Sequence, residues 1–374
     1  PFPDAVSVAG GVSDCTLLDT YYQSAGSLLT TAQRAAINGH ATDQTCQLWQ
    51  ASFGQEIEAD SCGGTVPQEE VFDAKTNPKG VRCTLQDGNI NILGTDPSTG
   101  FAYRPVTNVG VQYGYEALKS HVISVDQFLA LNAAVGGFDP NGKVVPARTR
   151  APDKAFEIAY EKGLVDEGGA LWNVPIILTN PYDDPLGDIH DRFRSFSIRA
   201  RLTRPDGRTD PNLLIWTVPG PTNAGALDAQ LVGALRDTSR QIELLDRWLT
   251  KADTSPTDPD APAKLAAARP GAAVDTCTLR SGQVLRGPDV YNGTNACTRA
   301  YPLHGDPRTA AGAPLRNDLL ACRLVPVSAA TEPAAFTGAQ LSKLRQIFPS
   351  GVCDWSKPGV GQDQTAGTWL DFGS

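Results

Sequence analysis

Residues 173–180 read Asn-Val-Pro-Ile-Ile-Leu-Thr-Asn, a compact apolar run bounded by turn residues. Such a run is typical of a strand that is buried on both faces. A second run of this kind lies at 212–218, with a helical segment at 193–202 between the two and a long helical pattern over 224–249 after them. The order of strand, helix, strand and helix indicates the end of a parallel α/β sheet. Because two strands cannot form a complete sheet, we expect the remaining strands to lie elsewhere.

The first 150 residues show few sustained periods and many turn signals. The pattern predicts short helices at 31–38, 111–121 and 125–135, and an amphipathic helix follows at 153–162. These features indicate an irregular, largely helical region such as a cap or lid.

The sequence therefore predicts four parts. Residues 1–170 form the cap, and residues 171–250 form the terminal strands and helices of an α/β core. Residues 251–274 are rich in Asp, Pro, Ala and Thr, which is typical of a linker. Residues 275–374 carry cysteines, short strand-like pieces and one helix at 338–348, which predicts a small disulfide-stapled C-terminal subdomain.

Eight cysteines are spread along the chain, and none of them forms a Cys-x-x-Cys pair. This spacing argues against zinc-ribbon and thioredoxin-like sites. An even number of scattered cysteines favours disulfides and a secreted or periplasmic location, whereas buried free thiols in a cytosolic protein are the alternative. The spacing does not determine the connectivity. The simplest hypothesis pairs neighbours: Cys15 with Cys46, Cys62 with Cys83, Cys277 with Cys297, and Cys322 with Cys353.

The composition excludes several classes of protein. With 41% hydrophobic and 20% charged residues, the chain falls in the ordinary range of globular proteins. Its net charge of −9 would repel a phosphate backbone, so nucleic-acid binding is not expected. No stretch approaches the roughly 20 apolar residues needed to span a bilayer. The chain has no methionine and begins at Pro1, from which we expect either a cleaved precursor or a partial sequence.

Four segments resemble a poorly characterised family of secreted bacterial α/β-hydrolases of the tannase and feruloyl-esterase type. They are Pro3-Asp-Ala-Val-Ser7, Asn108-Val-Gly-Val-Gln-Tyr-Gly114, Asp188-Ile-His-Asp-Arg-Phe-Arg-Ser-Phe196 and Gly351-Val-Cys-Asp-Trp-Ser-Lys-Pro-Gly359. The resemblance implies that the chain is the C-terminal portion of such a hydrolase, with the cap inserted before the penultimate strand at 174–179. It also implies an N-terminal partner segment that carries the earlier strands and the nucleophilic serine.

Two features depart from the pattern of that fold. No Gly-x-Ser-x-Gly motif occurs in the 374 residues, although an α/β-hydrolase needs its serine on such a strand-to-helix turn. The segment 219–226, which follows the last strand, contains no histidine. The chain by itself is therefore expected to be inactive.

The expected order of a hydrolase triad is serine, acid and histidine, and the acid follows the strand at 174–179. Asp184 is the first candidate for the acid and Asp183 the second, because a carboxylate there can orient an imidazole. The alternative is that both aspartates cap turns. His190, in the same loop, is the favoured base and His304 the second candidate. A structural role for His190, bonded to nearby carboxylates, stays open.

Arg192 and Arg194 are candidates for binding a substrate carboxylate or phosphate. Pairing with nearby aspartates is the favoured interpretation, since such pairs are common. A metal site formed by Asp183, Asp188 and His190 is compatible with the preferences of hard cations, although no motif supports it.

The leading hypothesis is therefore a secreted hydrolase of ester or amide bonds that works by acyl transfer, without a cofactor, on a small-molecule or polymer ester. Its serine lies outside this chain. Two alternatives remain: a non-catalytic exported module that binds carbohydrate, polymer or protein, and a metal-dependent hydrolase centred on Asp188 and His190.

Overall fold

The computed structural model of the chain describes residues 5–25, 29–53, 62, 64–73, 75–83, 85–166, 169–203, 212–220, 227–255, 257–332 and 336–362. Helices and sheets are mixed, and the chain divides into two compact units. We call Asp166–His304 the sheet unit, and Asp4–Val165 together with Gly305–Ser374 the helical unit.

Elements are numbered in chain order. The helical unit contains α1 (Ala5–Ala25), α2 (Thr31–Asn38), α3 (Gln44–Phe53), α4 (Leu85–Leu93), α5 (Tyr115–Lys119), α6 (Val125–Ala134), β1 (Gly137–Phe138), β2 (Val144–Val145), α7 (Asp153–Glu161), α12 (Pro307–Ala310), β7 (Arg323–Val325), α13 (Gly338–Ile347) and β8 (Val352–Asp354). The sheet unit contains β3 (Ile176–Tyr182), α8 (Arg192–Leu202), β4 (Leu213–Pro219), α9 (Leu227–Ala252), α10 (Ala261–Ala268), β5 (Thr276–Thr278), β6 (Val284–Arg286) and α11 (Ala296–Ala300).

The sheet of the sheet unit has the strand order β3-β4-β5-β6. Strands β3 and β4 are parallel, with Ile176 opposite Leu213 and Tyr182 opposite Pro219. This confirms the prediction that the two apolar runs are neighbouring parallel strands. Strand β5 is parallel to β4 and antiparallel to β6. Within the described ranges, no strand pairs with the outer edge of β3.

Strand β4 is buried on both faces, as its apolar sequence predicts. The same prediction is wrong for β3, which is an edge strand of the described sheet and is only partly buried over most of its length. Leu213 and Ile215 pack with Leu202 of α8 on one face. Leu214, which points the other way because side chains alternate along a strand, packs with Trp248 and Leu265. Full burial of each such side chain contributes about 1.5–3 kcal/mol. The sheet is therefore the core of this unit.

The segment expected to be a linker, 251–274, contains the short helix α10. Leu265 of this helix is fully buried, and its carbonyl accepts a 2.8 Å hydrogen bond from the indole of Trp248. Alanine favours helices and packs closely, so an alanine-rich stretch can form a packed helix even when its composition is typical of a linker. The C-terminal residues are also divided, since β5, β6 and α11 lie in the sheet unit while α12, β7, α13 and β8 lie in the helical unit.

Helix α1 lies in the region that the sequence predicted to be largely helical, but no helix was predicted at 5–25. Residues of every type are buried along it, including Leu17 and Leu18 but also Ser13, Asp14 and Asp19. A helix that is covered on all sides has no polar face, so it lacks the periodicity from which helices are predicted. By contrast, α2 begins with a capping box at Thr30 and Gln33 and has the predicted bounds.

Four disulfides join the neighbouring pairs that the simplest hypothesis names. They are Cys15–Cys46, Cys62–Cys83 and Cys322–Cys353 in the helical unit and Cys277–Cys297 in the sheet unit. Loops of 20 to 31 residues are closed by them. Each bridge contributes about 3 kcal/mol by restricting the unfolded chain. Of the helices in the described part of the chain, none is both long and apolar enough to cross a bilayer.

Candidate active site

The carboxyl ends of β3 and β4 meet at one edge of the sheet, because parallel strands in register end together. Gly220 follows β4 and lies directly against the carbonyl of Tyr182, the last residue of β3. A Cβ atom at Gly220 would lie 2.1 Å from that oxygen, so only glycine fits. In open parallel sheets this edge is the usual place for a ligand or an active site.

The loop after β3 carries the predicted acids and the favoured histidine. It turns once through a 3₁₀ helix over Asp184–Leu186 and ends with Asp191, whose side chain accepts a hydrogen bond from the amide of Arg194 at the start of α8. Asp191 is therefore the N-cap of α8. The remaining aspartates of the loop are available for other roles.

Asp184 is 4% exposed and incompletely hydrogen-bonded. Its Oδ1 accepts the backbone N–H of Arg192 at 2.9 Å, whereas its buried Oδ2 has no hydrogen-bond partner among the described residues. Burial raises the pKa of the Asp184 carboxyl to about 6, despite the opposing effects of the Arg192 amide and guanidinium. The carboxyl is thus ionised at neutral pH with one oxygen available to a donor.

Asp183 is the adjacent, half-buried carboxyl. Burial raises its pKa to about 7, and the negative charges of Asp188 and Asp184 add to the effect. Its Oδ1 is also buried without a hydrogen-bond partner among the described residues. Two neighbouring acids therefore titrate near neutral pH, which is common where carboxyls take part in chemistry.

His190 contacts a different aspartate from the one expected. Its Nδ1 lies 2.9 Å from Oδ1 of Asp188, which also accepts the His190 backbone N–H at 2.7 Å. Both side chains are about half exposed, at 54% for His190 and 46% for Asp188. The spacing of two residues permits this local contact, and that spacing is the signal in the sequence that could have identified Asp188. The arrangement matches the structural alternative for His190.

His304 lies within the electrostatic range of Arg192 and is half-buried. Burial lowers the pKa of the His304 imidazole, and the positive charge of Arg192 lowers it further. The Arg192 guanidinium also donates a hydrogen bond to the carbonyl of Tyr301, three residues before His304. Arg192 therefore links the segment that carries His304 to Asp184.

Arg192 and Arg194 are buried, at 1% and 0% exposure, and do not reach the solvent as a substrate clamp would. Arg192 stacks over Phe196 and Tyr291, with its guanidinium carbon 4.7 and 4.9 Å from the ring centres. The Nε of Arg194 lies 3.6 Å from Asp191. Pairing with neighbouring groups, the favoured interpretation of these arginines, agrees with this placement.

Potential metal ligands converge elsewhere. In the described ranges, the group whose ligand atoms lie close enough to share an ion consists of Cys15, His40 and Cys46. The two cysteines form a disulfide, so they offer no thiolate. Asp183, Asp188 and His190 do not form such a group in the described residues.

Comparison with known proteins supplies a family but no characterised relative. No curated protein and no solved structure is significantly similar to the chain. A family model does match, over residues 1–364, and it agrees with the tannase-like resemblance expected from the sequence motifs. The chain therefore belongs to the tannase-like family of unknown function DUF6351.

Proposed function

We propose that this chain is part of an exported hydrolase that cleaves an ester or amide bond by acyl transfer. Its membership in a tannase-like family suggests a hydrolase-type function. The four disulfides are consistent with a secreted or periplasmic protein. The substrate class that we propose is an ester of a small molecule or of a polymer.

The observation that carries the proposal is the buried, unbonded Oδ2 of Asp184 at the carboxyl end of β3. Leaving a buried polar atom without a partner costs about 1–3 kcal/mol, and more for a charged group. Other buried atoms of the described chain, such as Oδ1 of Asp19, also lack a partner, but Asp183 and Asp184 are the carboxyls that do so at the carboxyl end of β3. A carboxylate of this kind can accept an imidazole N–H, orient the ring and stabilise its charged form. We assign this role to Asp184, with Asp183 as the second candidate.

The geometry favours His304 over His190 as the base. His190 is exposed and bonded to Asp188 within its own loop. Burial and the positive charge of Arg192 lower the pKa of the His304 imidazole, which favours the neutral form that can accept a proton from a hydroxyl. Arg192 also holds Asp184 through its backbone amide. Asp184 and His304 therefore share one neighbour, although His190 was the first choice from the sequence.

The nucleophilic serine in this proposal lies outside the chain, on a partner segment that continues the sheet beyond β3. Two observations support this placement. No Gly-x-Ser-x-Gly motif occurs in the 374 residues, and no described strand covers the outer edge of β3. A free edge of a parallel strand is a natural place for another strand to pair.

The test uses the product of the complete reading frame and the 374-residue chain side by side. A fluorophosphonate probe should label a serine in the first and none in the second, and only the first should hydrolyse p-nitrophenyl acetate. Replacement of Asp184 by Asn should lower kcat about 10³–10⁴-fold, as expected when the orienting carboxylate is lost. Asp246→Asn, an exposed aspartate of α9, is the matched control and should leave kcat unchanged.

Two histidine variants then identify the base. Loss of turnover in His304→Ala with activity retained in His190→Ala supports the assignment, and the opposite pattern restores His190. Labelling of the isolated 374-residue chain would contradict the external serine. If neither protein is labelled and neither turns over an ester, the hydrolase proposal fails and the non-catalytic binding module takes its place.

A further inference from the structure

A cleft of about 530 Å³ lies in the helical unit, and all its lining residues belong to that unit. One wall is formed by the end of α6 and the segment 146–150, and the other by the end of α13 and the turn that follows it. The volume is in the range of pockets that bind small molecules. None of these residues takes part in the proposed hydrolase site.

We call Val109, Ile347 and Phe348, which line the cleft and are half-buried or buried, its floor, and they are apolar. Pro146 also lines the cleft but is exposed. Gly351 closes the turn after α13 with φ +102°, and a Cβ atom there would lie 2.4 Å from the carbonyl of Val325. Since only glycine allows this close approach, the turn holds the wall in place without the need for a ligand.

The charge of the cleft is positive, although the chain as a whole carries −9. Arg148, Arg150 and Lys343 line it, and no aspartate or glutamate does. The two terminal nitrogens of Arg148 donate to neutral oxygens, namely the carbonyls of Asn108 and Val111 and the carbonyl and side chain of Asn132, at 3.0–3.2 Å. Burial lowers the pKa of Arg148 only to about 10, so it stays charged at neutral pH.

The other two cations, Arg150 and Lys343, are exposed, and they belong to the two different segments that line the cleft. Arg150 donates to the hydroxyl of Ser350 at 3.3 Å, which turns its guanidinium toward the turn after α13. Neither Arg150 nor Lys343 forms an ion pair within the described part of the chain. Two cations without a counter-ion above an apolar floor match a ligand with one anionic end and one apolar end.

We infer that this cleft binds an organic carboxylate with a compact apolar body, such as a benzoate ring. The carboxylate lies between Arg150 and Lys343, and the ring packs on Val109 and Phe348. A phosphate dianion fits less well because the floor offers it few donors and would strip its hydration. The inference rests on the helical unit alone and does not depend on the proposed hydrolase activity.

Isothermal titration calorimetry of the 374-residue chain tests this with three probes of matched size or charge. Sodium benzoate should bind, while benzamide, which has the same ring without the charge, and inorganic phosphate, which has charge without the ring, should each bind at least about tenfold more weakly. Binding should weaken as NaCl is raised, because the rim cations are exposed.

Variants locate the site. Lys343→Gln and Arg150→Gln should each weaken benzoate binding about threefold to tenfold. Gln346→Glu places a carboxylate among the lining residues at nearly constant size and should abolish binding by repulsion. Lys357→Gln removes an exposed lysine that does not line the cleft and should change nothing. All four positions are exposed, so the fold should be retained, which an unchanged unfolding temperature would verify.

Four results would overturn the inference: no binding of benzoate at millimolar concentration, equal binding of benzamide, equal binding of phosphate, or undiminished binding in both Lys343→Gln and Gln346→Glu.

Discussion

Two buried aspartates, one in each unit, differ in how completely their carboxylates are hydrogen-bonded. Asp14 in the helical unit is 1% exposed and Asp184 in the sheet unit is 4% exposed. Asp14 accepts the hydroxyl of Tyr113 at 2.5 Å and hydrogen bonds from the guanidinium of Arg308. Asp184 accepts a single backbone amide and keeps one oxygen unbonded. The charge of Asp14 is thus fully compensated by its partners, whereas that of Asp184 is compensated only in part.

The difference has an energetic meaning. A buried carboxylate with an arginine and a hydroxyl is held in its charged form without a large penalty, because its partners replace the water that it lost. A buried carboxylate with one donor is destabilised in its charged form, because that donor does not replace all the lost water. The raised pKa of Asp184 is the result of this destabilisation. Such a penalty is acceptable where a donor arrives with a substrate, another segment or a reacting imidazole.

The largest effect is expected on the stability of the protein when the ion pair between Asp14 and Arg308 is broken. Asp14→Asn leaves Arg308 charged and buried without its counter-ion, which should lower the free energy of unfolding by about 3–5 kcal/mol. Urea denaturation followed by circular dichroism measures this. As a control, Lys154→Gln breaks the exposed pair with Glu157 and should cost less than about 0.5 kcal/mol. A cost below that of the control for Asp14→Asn would mean that the pair contributes nothing.

At Asp184 we expect a substitution to raise the free energy of unfolding instead of lowering it. Asp184→Asn removes a buried charge while keeping an oxygen for the Arg192 amide, so it should stabilise the protein by about 1–2 kcal/mol at pH 8. Folding raises the pKa of Asp184 from its ordinary value near 4 to about 6, so the charge penalty builds up as the pH rises between these two values and is complete above them. The gain should therefore be about half as large at pH 5 and disappear below about pH 4. A variant that is less stable at pH 8 would show that Asp184 holds the fold.

The smallest effect is expected on the pKa of Asp183, the carboxyl next to Asp184. Asp188→Asn removes one of the negative charges that raise the pKa of Asp183, so that pKa should fall from about 7 by less than about one unit. NMR titration of the labelled aspartate carboxyls measures it. Because burial is the main cause of the shift, the pKa should remain well above the ordinary value. A return to that ordinary value would assign the whole shift to Asp188 and none to burial.

Much of the fold could be predicted because its signals are local. The strands at 176–182 and 213–219 begin with the apolar runs Ile-Ile-Leu and Leu-Leu-Ile-Trp, and α2 and α6 begin at capping boxes. The helix expected at 111–121 is shorter, since Gly114 adopts φ +79° and the helix starts after it. Helix α1 could not be predicted from periodicity because its burial on all sides depends on what packs around it.

The candidate site could be predicted only in part. The sequence places Asp183, Asp184 and His190 in one loop after a strand, and the structure agrees with that location. The sequence left a contact of His190 with a nearby carboxylate open, but it did not single out Asp188, and it did not predict the position of His304 beside Arg192. The first depends on the exact turn of the loop, and the second joins residues more than a hundred positions apart.

The amino-acid sequence by itself determined the parallel pair of strands and the acidic loop at a strand end, because these follow from patterns within a few tens of residues. It made the neighbouring cysteine pairs the simplest hypothesis, and the tertiary structure decided the connectivity. Only the tertiary structure decided which buried charges are compensated. Compensation depends on whether a distant donor, such as Arg308 for Asp14, reaches the same desolvated place, and no local pattern contains that information.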